Sequence, residues 1–120
     1  MIIGVDCDGT LCSWHPGEYE KAQPFPEKCA AIHRLHAAGH EIWIYTARGS
    51  SLGSIEAADA RWGELTRGQL TAWAVPFHRL IFGKPPFDVL IDDRSVVFTE
   101  DWETQLARNA AAREARQQML

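Results

Sequence analysis

Short apolar runs without polar alternation recur along the chain and predict strands. The first covers residues 2–5 (IIGV), and similar runs follow at 41–46, 79–83 and 88–92. Continuous apolar runs of this length are typical of strands that are covered on both faces of a parallel sheet. A shorter run at 96–98 (VVF) is a candidate for one more short element.

Between these runs the apolar positions take helical spacing. Residues 27–38 form one such stretch, between Pro26 as a start signal and Gly39 as a stop signal. The spacing at 55–75 is also helical, although two internal glycines leave open whether it forms one helix or two. A last helix is predicted over 102–118, with acidic residues near its start and arginines near its end, as the helix dipole prefers.

The alternation of strands and helices over the whole length predicts the fold class. We expect a Rossmann-like, doubly wound α/β fold with a mostly parallel sheet between two layers of helices. With 120 residues and no shift in composition, a single domain over 1–120 is expected. In such sheets ligands bind outside the carboxyl ends of the strands.

The composition limits the classes of function. A net charge of −4 provides no basic field, so nucleic acid and anionic membrane surfaces are disfavoured as partners. Three cysteines match neither a disulfide framework nor a four-ligand zinc pattern, which favours a reducing, cytoplasmic compartment. There is no basic leader, and no run approaches the roughly 18 apolar residues of a membrane span. A small-molecule ligand fits this balance better.

Charged or hydroxyl side chains follow every predicted strand. They are Asp6 and Asp8 after the first strand, Thr46 and Arg48 after the second, Lys84 after the third, and Asp92 and Asp93 after the fourth. A plain explanation is that Asp-Gly is a turn signal and that the acids only solvate a strand end. The predicted strand beginnings carry fewer charges, however, so we expect these side chains to converge at one edge of the sheet.

Several carboxylates at one edge would repel one another unless a cation neutralised them. An oxygen-only ligand set without histidine or thiolate favours a hard ion, and Mg²⁺ suits a site that keeps several waters. Such an ion beside a lysine and a hydroxyl group is suited to phosphoryl groups. Asp6, at the end of the strand, is then the expected nucleophile. Asp8, two residues on, is the expected general acid and base.

The segments DCDGTL at 6–11 and VLIDDRS at 89–95, together with a strand that ends in Thr46 and a lysine before prolines at 84, resemble the haloacid dehalogenase superfamily of phosphatases. The resemblance implies that Thr46 and Lys84 bind the phosphate and the phosphoaspartate. It also implies that Mg²⁺ is bound by the Asp6 carboxylate, the Asp8 backbone carbonyl and Asp92, with Asp93 helping directly or through water. The dehalogenases of the superfamily lack the second aspartate of the first motif, so Asp8 indicates phosphoryl transfer.

About fifteen residues separate the first motif from the first predicted helix, too few for a cap domain, so the chain resembles capless members. An open site of this kind is covered by a neighbouring subunit in a homo-oligomer, admits a large substrate, or relies on local loops. Arg48 is a candidate substrate-binding residue at its mouth. Cys7 is expected to be structural, with its side chain directed away from Asp6 and Asp8.

Three functions stay open. The first is a Mg²⁺-dependent phosphatase that acts on a small phosphorylated metabolite, such as a sugar phosphate or a nucleotide. The second is a polynucleotide end phosphatase, which the acidic charge disfavours. The third is a regulatory module that binds Mg²⁺ and phosphate without turnover.

Overall fold

Three parallel strands form a sheet in the order β1-β2-β3. β1 spans Ile2–Val5, β2 spans Glu41–Tyr45 and β3 spans Arg79–Ile81. All pairings are parallel, so the three strands end at the same edge of the sheet, as the sequence predicts. We refer to this edge, with the residues that directly follow the strands, as the carboxyl edge.

The computed structural model describes residues 1–119. It divides into two compact units, Met1–Pro86 and Phe87–Leu120, which we describe separately. The sheet lies in the first unit. A single domain over 1–120 stays a prediction, and so does the doubly wound layering, whereas a small α/β fold with a parallel sheet is confirmed.

Two helices connect the strands of the first unit. α1 spans Pro26–Ala37 and begins with a proline in its first turn, where a missing N–H costs little. α2 spans Ile55–Ala72 as one continuous helix, and the Ser54 side chain caps it by accepting a hydrogen bond from the Ala57 N–H at 3.0 Å. The open question of one helix or two over 55–75 is thereby settled in favour of one.

The core of the first unit lies between the sheet and these helices. Ile42 and Ile44 of β2 are fully buried, and so is Leu70 of α2. Trp62 of α2 packs edge-on against Tyr19 at 4.8 Å between ring centroids and lies in one buried cluster with Phe82. This cluster includes Phe82, which directly follows β3 at the carboxyl edge.

The second unit contains α3, which spans Trp102–Gln118 as predicted. The predicted strand at 88–92 is wrong for this structure, because that segment forms no regular element and Ile91 is 95% exposed. The predicted short element at 96–98 is not formed either. A strand needs a hydrogen-bonding partner, and the described part of this unit holds none.

Candidate active site at the carboxyl edge

Asp6 follows β1 and makes two polar contacts. Its Oδ1 lies 3.1 Å from the Lys84 ammonium, and its Oδ2 accepts a hydrogen bond from the Thr10 hydroxyl at 3.0 Å. The side chain of Asp6 is 33% exposed. The structure therefore brings together Asp6 and Lys84, which the sequence places at this edge, adds the Thr10 hydroxyl, and leaves the carboxylate accessible from solvent.

The backbone after β3 determines where Lys84 lies. Gly83 has φ of +93°, and a Cβ at that position would stand 2.7 Å from a side-chain carbon of Ile55, so the backbone conformation and the space both favour glycine. The next backbone N–H, that of Lys84, donates to the Thr46 carbonyl at 3.2 Å. Since β2 lies between β1 and β3, the Lys84 side chain reaches across the end of β2 to Asp6.

Thr46 is almost fully buried at the end of β2, with 1% of its surface exposed. Its Oγ1 accepts a hydrogen bond from the Arg48 N–H at 3.1 Å, and the hydroxyl keeps its own proton for donation. Thr46 thus lies at the carboxyl edge as expected, while its role as a phosphate ligand stays a prediction.

Asp8 is engaged by Arg48 in a paired, bidentate contact. Arg48 Nε lies 2.8 Å from Asp8 Oδ2, and Arg48 Nη2 lies 2.9 Å from Asp8 Oδ1. The Arg48 side chain is 0% exposed and that of Asp8 is 11% exposed. Burial opposes the charge of Arg48, but the hydrogen bonds and charge of Asp8 outweigh burial, so the pKa of the guanidinium is raised.

The remaining donors of Arg48 are held by α2. Its Nη1 donates to Thr66 Oγ1 at 3.1 Å and to Gln69 Oε1 at 2.6 Å, and the guanidinium lies over the Tyr19 ring at 4.8 Å from its centroid. The expectation that Arg48 lines an open mouth is therefore wrong for this structure, whereas its role in substrate binding stays a prediction. Arg48 is a buried anchor because carboxylate, hydroxyl and amide partners together satisfy its fork of donors.

Thr66 and Gln69 are site residues that the sequence reasoning missed. Thr66 lies four residues after Trp62 on the buried face of α2, where it interrupts an apolar stripe. A hydroxyl on such a face indicates a buried polar partner, because an unpaired buried hydroxyl is costly. That interruption was the sign in the sequence that could have revealed the anchor.

Cys7 and Cys12 lie beside Asp8 and are fully buried. Their sulfur atoms are 4.0 Å apart, and the Cys12 thiol lies 3.5 Å from Asp8 Oδ1. The hydrogen bond to Cys12 and burial both raise the pKa of the Cys7 thiol. Burial of Cys7 matches its predicted structural role. Its side chain is not directed away from Asp8, however, because the turn after β1 brings Cys7 Sγ within 4.8 Å of an Asp8 carboxylate oxygen.

Asp92 and Asp93 lie in the second unit. Asp92 accepts a hydrogen bond from the Ser95 hydroxyl at 3.3 Å, and Asp93 forms an ion pair with Arg116 of α3. Contact with Asp92 and with Arg116 lowers the pKa of Asp93. Their role as metal ligands stays a prediction that rests on the sequence motif.

Charges at the carboxyl edge of the first unit cancel. Asp6 has Lys84 as its partner and Asp8 has Arg48, so this unit alone does not show the crowding of carboxylates that first suggested a metal. A hard cation nevertheless fits the donor chemistry at Asp6, because a carboxylate accepts at about four positions and the two contacts use two of them. The Asp8 carboxylate accepts from Arg48 on both oxygens and from the Cys12 thiol on Oδ1, so fewer of its positions are free for a hard cation.

Comparison with known proteins gives a fold but no activity. No protein-family model matches the chain, and no curated protein matches it. A crystal structure of a structural-genomics target from Vibrio cholerae is similar, with 25% sequence identity and a TM-score of 0.76 over 89% of this chain and 97% of that chain. That protein is described only as a target, so the likeness concerns the fold. Within residues 1–119, no helix has the length and apolar character needed to cross a membrane.

Proposed function

We propose that the chain is a Mg²⁺-dependent phosphatase that hydrolyses a small phosphorylated metabolite through an aspartyl-phosphate on Asp6. The observation that carries the proposal is the contact between the partly exposed Asp6 carboxylate and the Lys84 ammonium at 3.1 Å. This contact places the proposed nucleophile, Asp6, beside an ammonium group that can bind the phosphoryl group of the substrate. The resemblance of the motifs to haloacid dehalogenase phosphatases points the same way, and with it we propose the doubly wound layering of that fold.

In this proposal each residue has a defined task. Asp6 attacks phosphorus, the bond to the leaving oxygen breaks, and water then releases phosphate from Asp6. Lys84 and the Thr46 hydroxyl bind phosphate oxygens. Mg²⁺, held by Asp6, the Asp8 carbonyl and Asp92, would supply charge neutralisation at the phosphoryl group.

Asp8 is proposed as the general acid and base, and its geometry sets a condition on that role. Both of its oxygens contact Arg48, so one oxygen must leave the guanidinium before it can exchange a proton with the leaving group or with water.

The same pairing favours a second candidate, a module that binds Mg²⁺ and phosphate without turnover, because a fixed Asp8 cannot transfer protons. Turnover separates the two functions.

The test is phosphate release from p-nitrophenyl phosphate and from a panel of sugar phosphates and nucleotides, with and without Mg²⁺. We expect Mg²⁺-dependent turnover by the native chain and a loss of about 1,000-fold or more in Asp6→Asn. Asp59→Asn is the matched control, since Asp59 also pairs with a cation but lies on the exposed side of α2. Equal rates for the native chain and Asp6→Asn would exclude the phosphatase, and phosphate binding without turnover would establish the module.

A further inference from the structure

We propose that Cys7, Asp8 and Cys12 form a binding site for one thiophilic divalent cation, with Zn²⁺ as the best match, and that this cation inhibits the reaction at Asp6. The binding part stands on the geometry alone. The inhibition part rests on the proposed function. This soft site is distinct from the hard, oxygen-lined site expected for Mg²⁺.

Two of the three separations between the ligand atoms match a tetrahedral zinc ion. With Zn–S near 2.3 Å and Zn–O near 2.1 Å, tetrahedral geometry requires about 3.8 Å between two sulfur atoms and about 3.6 Å between sulfur and oxygen. The structure has 4.0 Å between Cys7 Sγ and Cys12 Sγ, and 3.5 Å between Cys12 Sγ and Asp8 Oδ1. All three ligand atoms lie within 4.8 Å of one another, so a shift of at most about 1 Å between Cys7 Sγ and the Asp8 carboxylate brings them onto one ion.

The charge balance also accommodates the ion. Without metal, the two thiols are neutral and the Arg48 charge balances that of Asp8. When the ion binds, both thiols lose their protons to solvent and become thiolates, so two positive charges leave and two arrive. The cluster therefore stays neutral, which avoids the large cost of an unbalanced buried charge.

Arg48 would serve as the outer partner of the site. Its Nε lies 2.8 Å from Asp8 Oδ2 and can keep that bond while Oδ1 binds the cation. Its Nη2, 3.8 Å from Cys12 Sγ, can donate to the thiolate once it forms. Water would fill the fourth position, as in zinc sites with three protein ligands.

Occupancy of this site has a direct consequence for Asp8. A carboxylate with one oxygen on a cation and the other on Arg48 cannot accept or donate a proton at the leaving group. The cation would therefore slow turnover without occupying the position of the substrate, and added Mg²⁺ would not reverse the effect, because Mg²⁺ binds thiolates poorly.

The binding test uses Co²⁺ as a spectroscopic probe for the zinc site of the native, fully reduced chain. We expect one equivalent of Co²⁺ to produce an intense sulfur-to-cobalt charge-transfer absorption, which Zn²⁺ then removes. Cys12→Ser should abolish this absorption and weaken Zn²⁺ binding by more than the roughly 10- to 100-fold typical of outer-shell changes. Cys29→Ser is the control, since Cys29 is also buried but donates to the Leu11 carbonyl and is not among the three ligands.

The native spectrum decides first, so the test does not depend on how the variants fold. Absence of the absorption in the native chain, or an equal absorption in Cys12→Ser, would overturn the site. The inhibition arm compares Zn²⁺ titrations of turnover in excess Mg²⁺. Native and Cys29→Ser proteins should be inhibited and Cys12→Ser protected, whereas equal inhibition of all three would mean displacement of Mg²⁺ and overturn this part. If the native chain shows no turnover, the proposed function fails, but the cobalt spectrum still tests whether Cys7, Asp8 and Cys12 bind a cation.

Discussion

Replacement of Arg48 by alanine is the sharpest test of the site architecture. The guanidinium is fully buried and bidentate to Asp8, with further bonds to Thr66 and Gln69. Its loss leaves the Asp8 carboxylate, itself 11% exposed, without a cation in a poorly solvated position. The expected effect is therefore a large loss of stability in addition to any change in activity.

The magnitude follows from burial. Removal of one partner of a buried ion pair costs about 3–5 kcal/mol, and the slight exposure of Asp8 places Arg48→Ala at the lower end, about 3–4 kcal/mol. The matched control is Arg67→Ala, which removes an arginine that is paired with Asp59 where both side chains are nearly half exposed. An exposed pair contributes about 0–1 kcal/mol, so the two arginine deletions should differ several-fold.

Urea unfolding followed by tryptophan fluorescence and by circular dichroism measures both variants. With a slope of about 1–3 kcal/mol per molar urea, Arg48→Ala should shift the midpoint by about 1–4 M, and Arg67→Ala by much less. If Arg48→Ala does not fold, Arg48→Lys measures the loss of the bidentate geometry alone. A loss below about 1 kcal/mol for Arg48→Ala, equal to that of the control, would refute the anchor.

Four further predictions test other parts of the chain. Gly49→Ala should cost about 2–4 kcal/mol in urea unfolding, because Gly49 has positive φ and a Cβ there would stand 2.7 Å from the Cβ of Ala58 in α2. Gly53→Ala is the control, since Gly53 has positive φ but open space around it, and should cost only about 1–2 kcal/mol. Because the folded-state pKa of Cys7 is raised, the free energy of unfolding of the native chain should fall as pH rises above the ordinary thiol pKa near 9. Unfolding measured at several pH values should show a slope of about 1.4 kcal/mol per pH unit, and Cys7→Ser should reduce that slope. Lys84→Met should raise the inhibition constant of inorganic phosphate by about 10- to 100-fold in the turnover assay, since it removes a charge-assisted contact; an unchanged constant would remove Lys84 from phosphate binding. Asp92→Asn should increase the Mg²⁺ concentration needed for half-maximal turnover, and no increase would remove Asp92 from the metal site.

Local patterns predicted the elements whose stability is local. β1, α1 and α3 lie within one or two residues of their predicted bounds. α2 continues through its two glycines because packing of its buried face outweighs the roughly 1 kcal/mol that each glycine costs. The apolar run at 88–92 has strand character but no strand, since pairing depends on a partner distant in sequence that a local pattern cannot specify.

Arg48 shows the same limit at the level of the site. It lies in a polar, glycine-containing segment that predicts an exposed loop, yet Arg48 and Gly49 are both buried. The polarity of neighbouring residues predicts exposure, whereas the burial of Arg48 depends on acceptors contributed by Asp8 and α2. Only the interruption of the α2 stripe at Thr66 carries that information in the sequence.

The two aspartates of the first motif differ in surroundings although they lie two residues apart. Asp6 is one-third exposed and contacts a flexible lysine, whereas Asp8 is nearly buried and contacts a rigid arginine that is itself held by α2. The solvated carboxylate of Asp6 can approach a substrate. The carboxylate of Asp8, with both oxygens on Arg48, mainly fixes the position of the turn after β1. Two identical side chains thus acquire different capacities from their partners, as carboxylate pairs in active sites do. In the proposed phosphatase, Asp8 must leave Arg48 before it can protonate the leaving oxygen. Asp8→Asn removes that proton donor, so turnover should depend more steeply on leaving-group basicity in the variant than in the native chain, and equal dependence would remove Asp8 from this role.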